Sequence, residues 1–292
     1  MSPFHITGPA IISFSGGRTS AYMLWRILDA HDGKLPDDVH VCFANTGREM
    51  PATLDFVEEC ASRWGVRVNW LEYRRDPETG RVWTETVSYN SASRNGGPFR
   101  ALLAGKQMLP NPTMRFCTEE LKIRPVRLWI DRELGWRTWK SIVGLRYDEL
   151  HRVVRIARRN ASGKARFVSR CPLAKARVTK AQHIMPFWAA QPFDLRLHPW
   201  EGNCDGCFLK SLAAKRRLIA DHPERLAAWR DDELLAAKKA PLSPDAALYR
   251  NDGPSYAELF EEVRRNPRLP GIDRDPGDGT DVFVDGCDVC GA

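Results

Sequence analysis

An alternation over residues 10–73 constrains this chain more than any other feature. Three short apolar runs read as buried strands: "AIISF" (10–14), "VHVCFA" (39–44) and "VRVNWLEY" (66–73). Two amphipathic stretches separate them. Residues 19–30 put Ala21, Leu24, Trp25 and Leu28 on one side. Pro51 opens the second, in which Leu54, Val57, Cys60, Ala61 and Trp64 recur at helical spacing until Gly65 ends it. Strand–helix–strand–helix–strand over so short a span implies parallel pairing through right-handed crossovers. The expected fold is α/β: a doubly wound, Rossmann-like parallel sheet with a smaller, mostly helical, cysteine-bearing C-terminal region.

The rest of the chain is read in the same terms. "TWKSIVGL" (138–145) is a further strand. Residues 74–116 carry turn signals (Asp76-Pro77, Gly80, Asn95-Gly96-Gly97, Pro110, Pro112) around one candidate strand, "VWTETVSY", and read as an insertion over the sheet's edge or face. Residues 117–134 read as helix, kinked at Pro125. Residues 150–178 are basic and irregular and suggest a hairpin. Helices are expected over 179–190, 209–220, 223–238 and 254–265, before a tail rich in Pro, Gly and Asp. This gives an α/β domain over 1–178 and a helical region over 179–292. With 292 residues and 43% hydrophobic content the chain can build one sizeable core. It has no apolar run of membrane-spanning length and no secretory signal at its start, so the expectation is a cytoplasmic protein with no membrane partner. A net charge of +7 suits polyanions: nucleotides, pyrophosphate or nucleic acid.

The first strand stops abruptly in "IISFSGGRTS" (11–20), and a helix follows at once. At the carboxyl end of a parallel strand, Gly16 and Gly17 let the backbone turn tightly and approach a ligand. The helix behind them offers free N–H groups and the positive end of its dipole, which together make an anion site. Ser15 and Ser20 can add hydroxyl donors, and Arg18 a charge. A second polar strand exit lies in "SIVGLRYDELHRVVR" (141–155). There Arg146 and Arg152 offer guanidinium forks for phosphate or sulfate, and Asp148 or Glu149 could orient them or hold Mg2+. Arg155, Arg158, Arg159, Lys164 and Arg166 form a separate basic tract, read either as a surface hairpin or as a track for a nucleic-acid backbone.

Eight cysteines are present, and two pairs have C-x-x-C spacing: Cys204/Cys207 and Cys287/Cys290. Expected in a reducing compartment, they point to metal or thiol chemistry rather than disulfides. Cys117 precedes a helix and is flanked by Arg115 and Lys122, which favour a thiolate. Two sulfurs three positions apart close no tetrahedral site alone, and Cys117 is the natural third ligand. An iron–sulfur centre, zinc and unmetallated thiols are the three readings. Cys42 and Cys60 fall on apolar faces and read as core.

These motifs carry a family resemblance over roughly residues 8–210. S-G-G-x-T-S (15–20) resembles the pyrophosphate loop of the adenine nucleotide alpha-hydrolase-like superfamily, the PP-loop ATP pyrophosphatases, although many members have Asp where Thr19 stands. "FANTGREMPATLDFV" (43–57), "CTEELKI" (117–123), the later G-x-R (144–146) and "GNCDGC" (202–207) resemble the phosphoadenosine phosphosulfate (PAPS) reductase family. The resemblance implies that Ser15, Gly16, Gly17, Arg18, Thr19 and Ser20 bind the phosphates of ATP, PAPS or adenylyl sulfate (APS), with Mg2+. Asn45, Thr46 and Gly47 would lie beside the adenosine, and Lys122, Arg146 and Arg152 in the same cleft. It implies a 4Fe–4S cluster on Cys117, Cys204 and Cys207, with one iron open to sulfur.

Phe116 breaks the Cys-Cys pair that cluster-bearing APS reductases carry. Cys290-Gly291 resembles the reductases' nucleophilic ending, but Val289 and Ala292 depart from it and its His is missing. Cys290 is therefore a candidate nucleophile or fourth ligand. Three functions follow. The first is adenylation-coupled sulfur transfer to nucleic acid or a small molecule, with Arg146 and Asp148 catalytic and a sulfur donor protein as partner. The second is PAPS/APS reduction to sulfite by Cys290 with thioredoxin. The third is a non-catalytic, zinc-bearing nucleic-acid binder. The oligomeric state stays open, a homodimer included.

Overall fold

A computed structural model of the chain describes residues 2–202, 204–239 and 243–266. Its centre is a six-stranded sheet in the order β4-β3-β2-β1-β5-β6. The chain runs β1 (Ala10–Ser13), α1 (Arg18–Asp29), β2 (Val39–Asn45), α2 (Pro51–Arg63) and β3 (Val68–Arg75), stepping outward through parallel pairs. It then returns across the sheet to lay β5 (Trp139–Ile142) against the other side of β1, and β6 (Phe167–Arg170) beyond it, both parallel. The sheet buries both faces, as an all-parallel core must. Ala10, Ile12 and Phe14 pack with α1 and α2 on one side, while Ile11, Cys42 and Leu71 pack with Trp129 and Ile130 on the other. Cys42 and Cys60 are core residues, as their positions on apolar faces predict.

Two segments match the sequence expectation in kind and add detail to it, and a third differs. The 74–116 region supplies β4 (Val82–Val87), an antiparallel edge strand on β3, and α3 (Gly97–Ala104), which packs on the same strand. Residues 117–134 stay helical through α4 (Phe116–Thr118), a π-turn (Glu119–Ile123), α5 (Arg124–Trp129) and a second π-turn (Ile130–Leu134). Pro125 lies in the first turn of α5, directly after a wide turn, where its missing N–H costs least.

The expected hairpin over 150–178 is instead a helix and a parallel strand: α6 (Leu150–Ala161), then β6, then α7 (Pro172–Lys175). The Asn160 side chain exchanges two hydrogen bonds with the Ser169 backbone, donating at 2.9 Å and accepting at 3.0 Å. A side-chain amide thereby satisfies part of an edge strand that would otherwise invite another chain.

Trp188 of α8 (Met185–Ala189) and Phe193 after it still pack into the α1/α2 side of the core. A second apolar cluster joins Phe99, Leu102 and Leu121 of the first part to Phe208, Leu226, Trp229, Tyr249 and Tyr256. The last five come from the region of α9 (Leu212–Asp221), α10 (Pro223–Lys238) and α11 (Tyr256–Arg265). The helical region is thus fused to the α/β unit through a shared core. No helix among the described residues is long and apolar enough to cross a membrane.

Candidate functional site

Strand order reverses between β1 and β5, and in open α/β sheets ligands bind at such a switch point, outside the carboxyl ends of the strands. The glycine loop lies there. Gly16 has φ of +76°, and a Cβ on it would stand 2.6 Å from Thr53 Cγ2. Gly17 starts α1 from an extended conformation, and no side chain caps the helix. Its leading N–H groups therefore remain for a ligand. Ser15 holds the turn by donating from N (3.2 Å) and Oγ (3.0 Å) to the buried Ser20 Oγ, which donates to Gly17 O at 2.9 Å.

The β5 exit closes against this loop. A Cβ on Gly144 would sit 3.3 Å from Ser20 Cα, so the two backbones touch. Two residues on, Arg146 Nη1 donates to Thr19 Oγ1 at 3.1 Å and Nε to Asp148 Oδ1 at 2.8 Å. Glu149 pairs with both Arg146 and Arg152. Arg146, Asp148 and Thr19 thus form one cluster over the loop, with Arg152 tied to it through Glu149. Arg18 is engaged elsewhere: its guanidinium makes a two-pronged pair with Asp194 at 2.7 Å and also reaches Leu195 O. Asp194 lies 176 positions away, and no sequence signal couples the two.

The β2 exit, next to β1, carries the N-T-G turn. Asn45 is fully buried and committed to holding it. Its Nδ2 donates to Glu72 Oε1 (2.5 Å) and Ser93 O (2.9 Å), and its Oδ1 accepts from Gly47 N. Gly47 has φ of +75° and packs under Ser93 and Pro98. Thr46 donates from N (3.0 Å) and Oγ1 (2.8 Å) to the buried Glu49 carboxylate, and Thr46 Oγ1 lies 3.8 Å from Cys204 Sγ.

The cysteine turn docks here. Glu49 and Cys204 form an antiparallel backbone bridge, and Asp205 N donates to Arg48 O at 2.7 Å. Asp205 accepts from Trp229 Nε1 at 2.8 Å and pairs with Arg225 at 2.9 Å. A Cβ on Gly206 would collide with Trp229 at 2.4 Å. These contacts explain the two residues between the cysteines. Beneath them Arg48, 2% exposed, pairs with the buried Asp232 at 2.6 Å and lies over the rings of Phe99 and Trp229.

Cys117, Cys204 and Cys207 are half-buried, and Cys117 and Cys207 both lie close enough to Cys204 to act on it electrostatically. Burial pushes the Cys204 thiol well above its ordinary range; Lys122 pulls it down, while Glu49, Cys207 and Cys117 add to the rise. Lys122, expected in the nucleotide cleft, thus stands beside Cys204 and Glu49. Lys210 is buried and donates to Trp200 O and Gly202 O, both at 2.6 Å, bracing the segment before Cys204. Burial lowers its pKa to about 8, with Cys207 and Cys204 acting against the fall. Lys215 is likewise held to about 8 by burial, with Arg250 adding to the fall and Cys207 opposing it.

Three soft thiols with Lys122, Lys210 and Lys215 acting on them suit a soft, anionic metal centre. Among the described residues no group of three or more His, Cys, Asp or Glu is placed to hold a metal ion. Cys287 and Cys290 lie outside the described residues. Cys171 is half-buried at the start of α7, and burial raises it to about 11, against Arg159 and Arg152.

A family model described as phosphoadenosine phosphosulfate reductase domain matches residues 9–182. The chain belongs to the PAPS reductase domain family. It is also similar to the uncharacterized nin region protein ORF290 of Escherichia phage lambda, 32% identical over 206 residues. That match covers 69% of this chain and 66% of the phage protein, just under two thirds of the latter's length. The matched family segment holds the glycine loop, the N-T-G turn, Cys117 and the β5 exit, but not Cys204 and Cys207.

Proposed function

We propose that this member of the family is an enzyme of adenylation-coupled sulfur transfer, acting on ATP at the glycine loop and on sulfur at Cys117, Cys204 and Cys207. One observation carries the reading. Adjacent parallel strands β1 and β2 bring the anion loop and the turn on which the cysteines dock to the same carboxyl end of the sheet, where strands are ~4.8 Å apart. The loop N–H groups and the Arg146 fork are suited to bind the phosphates and to stabilise charge developing on them. The acceptor's oxygen attacks the α-phosphorus, the bond between the α and β phosphates breaks, and pyrophosphate leaves with Mg2+. Sulfur from a small-molecule or protein donor then attacks the adenylated carbon, and AMP leaves. A 4Fe–4S cluster on the three cysteines, with Cys290 as a candidate fourth ligand, would supply an open iron to hold that sulfur.

Asp148 positions Arg146, and its Oδ2 also accepts from Lys180 N at 3.1 Å. Arg146→Ala is expected to lower pyrophosphate release from ATP by ~100-fold, chiefly in kcat, as loss of one preorganised donor does. Gly17→Asp should abolish release. ATP left intact by the wild-type protein with acceptor and sulfide present would overturn the proposal. The family model favours a second reading, reduction of PAPS or APS. That reading requires thioredoxin-dependent sulfite release that is lost in Cys290→Ser.

A further inference from the structure

Between Glu149 and Asp194 the chain has ten Lys and Arg; all 37 of its Asp and Glu lie outside this stretch. The fold gathers the stretch onto one end of the sheet. α6 is tied to β6 through Asn160 and Arg159, which both bond Ser169. The segment after α7 returns to the β5 exit, where Tyr147 N donates to Val178 O at 2.8 Å and the Arg177 guanidinium lies 5.8 Å from the Tyr147 ring. Some of the cations are structural: Arg152 pairs with Glu149, and Arg166 makes a two-pronged pair with Asp131 and covers Trp139. Others are exposed: Arg158, Lys164, Arg170, Lys175, Arg177 and Lys180. This field runs up to Arg146, which touches the glycine loop.

A surface cationic over a helix, a strand and a turn, with no acid in its own stretch of chain and only Asp131, Asp148 and Glu149 reaching it from outside, fits a repeating polyanion. An anionic bilayer fits less well. The exposed apolar strip of α6 is only Leu150, Val154, Ala157 and Ala161, with no aromatic, while Val153 and Ile156 pack into the protein, which leaves little apolar area to insert. A bilayer also cannot carry an acceptor atom to the β5 exit, whereas a strand can.

We propose that the α6–β6–α7 face binds the phosphate backbone of a nucleic acid and leads it to the β5 exit, so that the sulfur acceptor lies on that strand. The acceptor role rests on the sulfur-transfer reading; the binding does not. The test is fluorescence anisotropy of full-length protein with single-stranded DNA, duplex DNA and an RNA hairpin across a salt series. Engagement of four phosphates would weaken duplex binding ~150-fold between 50 and 200 mM salt. Arg158→Ala/Lys164→Ala/Lys175→Ala should lower affinity at least ~10-fold and reduce the log–log salt slope by about 2–3. The control Arg230→Ala/Arg264→Ala/Arg265→Ala, on the helical region, should bind like wild type.

Equal affinity and slope in the α6–α7 triple variant would overturn the proposal. So would capture by phosphatidylserine vesicles without binding to any of the three nucleic acids. Nucleic-acid binding that is lost in the triple variant, by a wild-type protein that never releases pyrophosphate, upholds the surface and removes only the chemistry above.

Discussion

Gly16 and Gly17 are neighbours in sequence but have different physical tasks, and substituting each by alanine should separate folding from binding. Gly16 is in the left-handed region, where an L side chain costs about 1–2 kcal/mol. Its Cβ would also stand 2.6 Å from Thr53 Cγ2 and 3.1 Å from Val57 Cγ2, both on buried residues of α2. Forcing α2 aside adds a cost typical of overpacking, so Gly16→Ala should lose about 2–4 kcal/mol. Gly17 has φ of −100°, and its Cβ would meet only Ser15 Oγ, at 3.9 Å. Alanine is a poorer helix N-cap than glycine but restricts the unfolded chain, so the net change in Gly17→Ala should stay within about 1 kcal/mol. The new methyl would nevertheless stand where a phosphate must approach the backbone. Urea denaturation and calorimetric titration with ATP should therefore diverge. Gly16→Ala shifts the midpoint, whereas Gly17→Ala keeps it and loses ATP affinity at least ~10-fold. A Gly17→Ala protein that binds ATP like wild type would refute the reasoning, because the bare backbone would then serve no ligand.

Two further predictions concern the helical region. Arg48→Met removes the ion-pair partner of Asp232 in the core and leaves it the Tyr249 hydroxyl, at 3.0 Å, and the more distant Arg100, so chemical denaturation should show a loss of about 3–5 kcal/mol. Arg48→Met/Asp232→Leu should recover much of it. Burial raises the Glu233 carboxyl to about 7, against hydrogen bonds from Tyr256 N and Tyr249 N. A carboxyl raised on folding favours the folded state below its unfolded pKa and loses that contribution as pH rises through the folded one. Denaturation midpoints should thus fall between about pH 4.5 and 7, and Glu233→Gln should flatten that slope.

The first seventy residues are legible from sequence because every strand there is apolar on both faces and each helix has its own stripe and stop. The same logic finds α10 at its observed bounds, 223–238. It fails over 150–178 because the apolar positions of α6 (Leu150, Val153, Val154 and Ile156) are interleaved with arginines and only Ile156 is buried, so the run reads as a charged loop. Helix α3 is hidden behind Asn95-Gly96-Gly97, a turn signal that here serves as a helix start. At the site, the glycine loop and the cysteine spacing are legible because they are local motifs. The contacts that assemble them are not. Arg48 finds Asp232 at a separation of 184 positions, and Arg225 reaches Glu49 O across 176. Glu49 itself reads as one more charged residue at a helix start, until the fold buries it against Thr46 and Cys204.

Iron and acid-labile sulfide analysis of anaerobically purified protein, repeated on Cys117→Ala and Cys204→Ala, tests most directly whether these thiols form a redox-metal centre beside the nucleotide loop. A brown wild-type protein with about four irons and four sulfides per chain, bleached in both variants, is the predicted result. Colourless wild-type protein with one zinc per chain, or iron content unchanged in either variant, would contradict it.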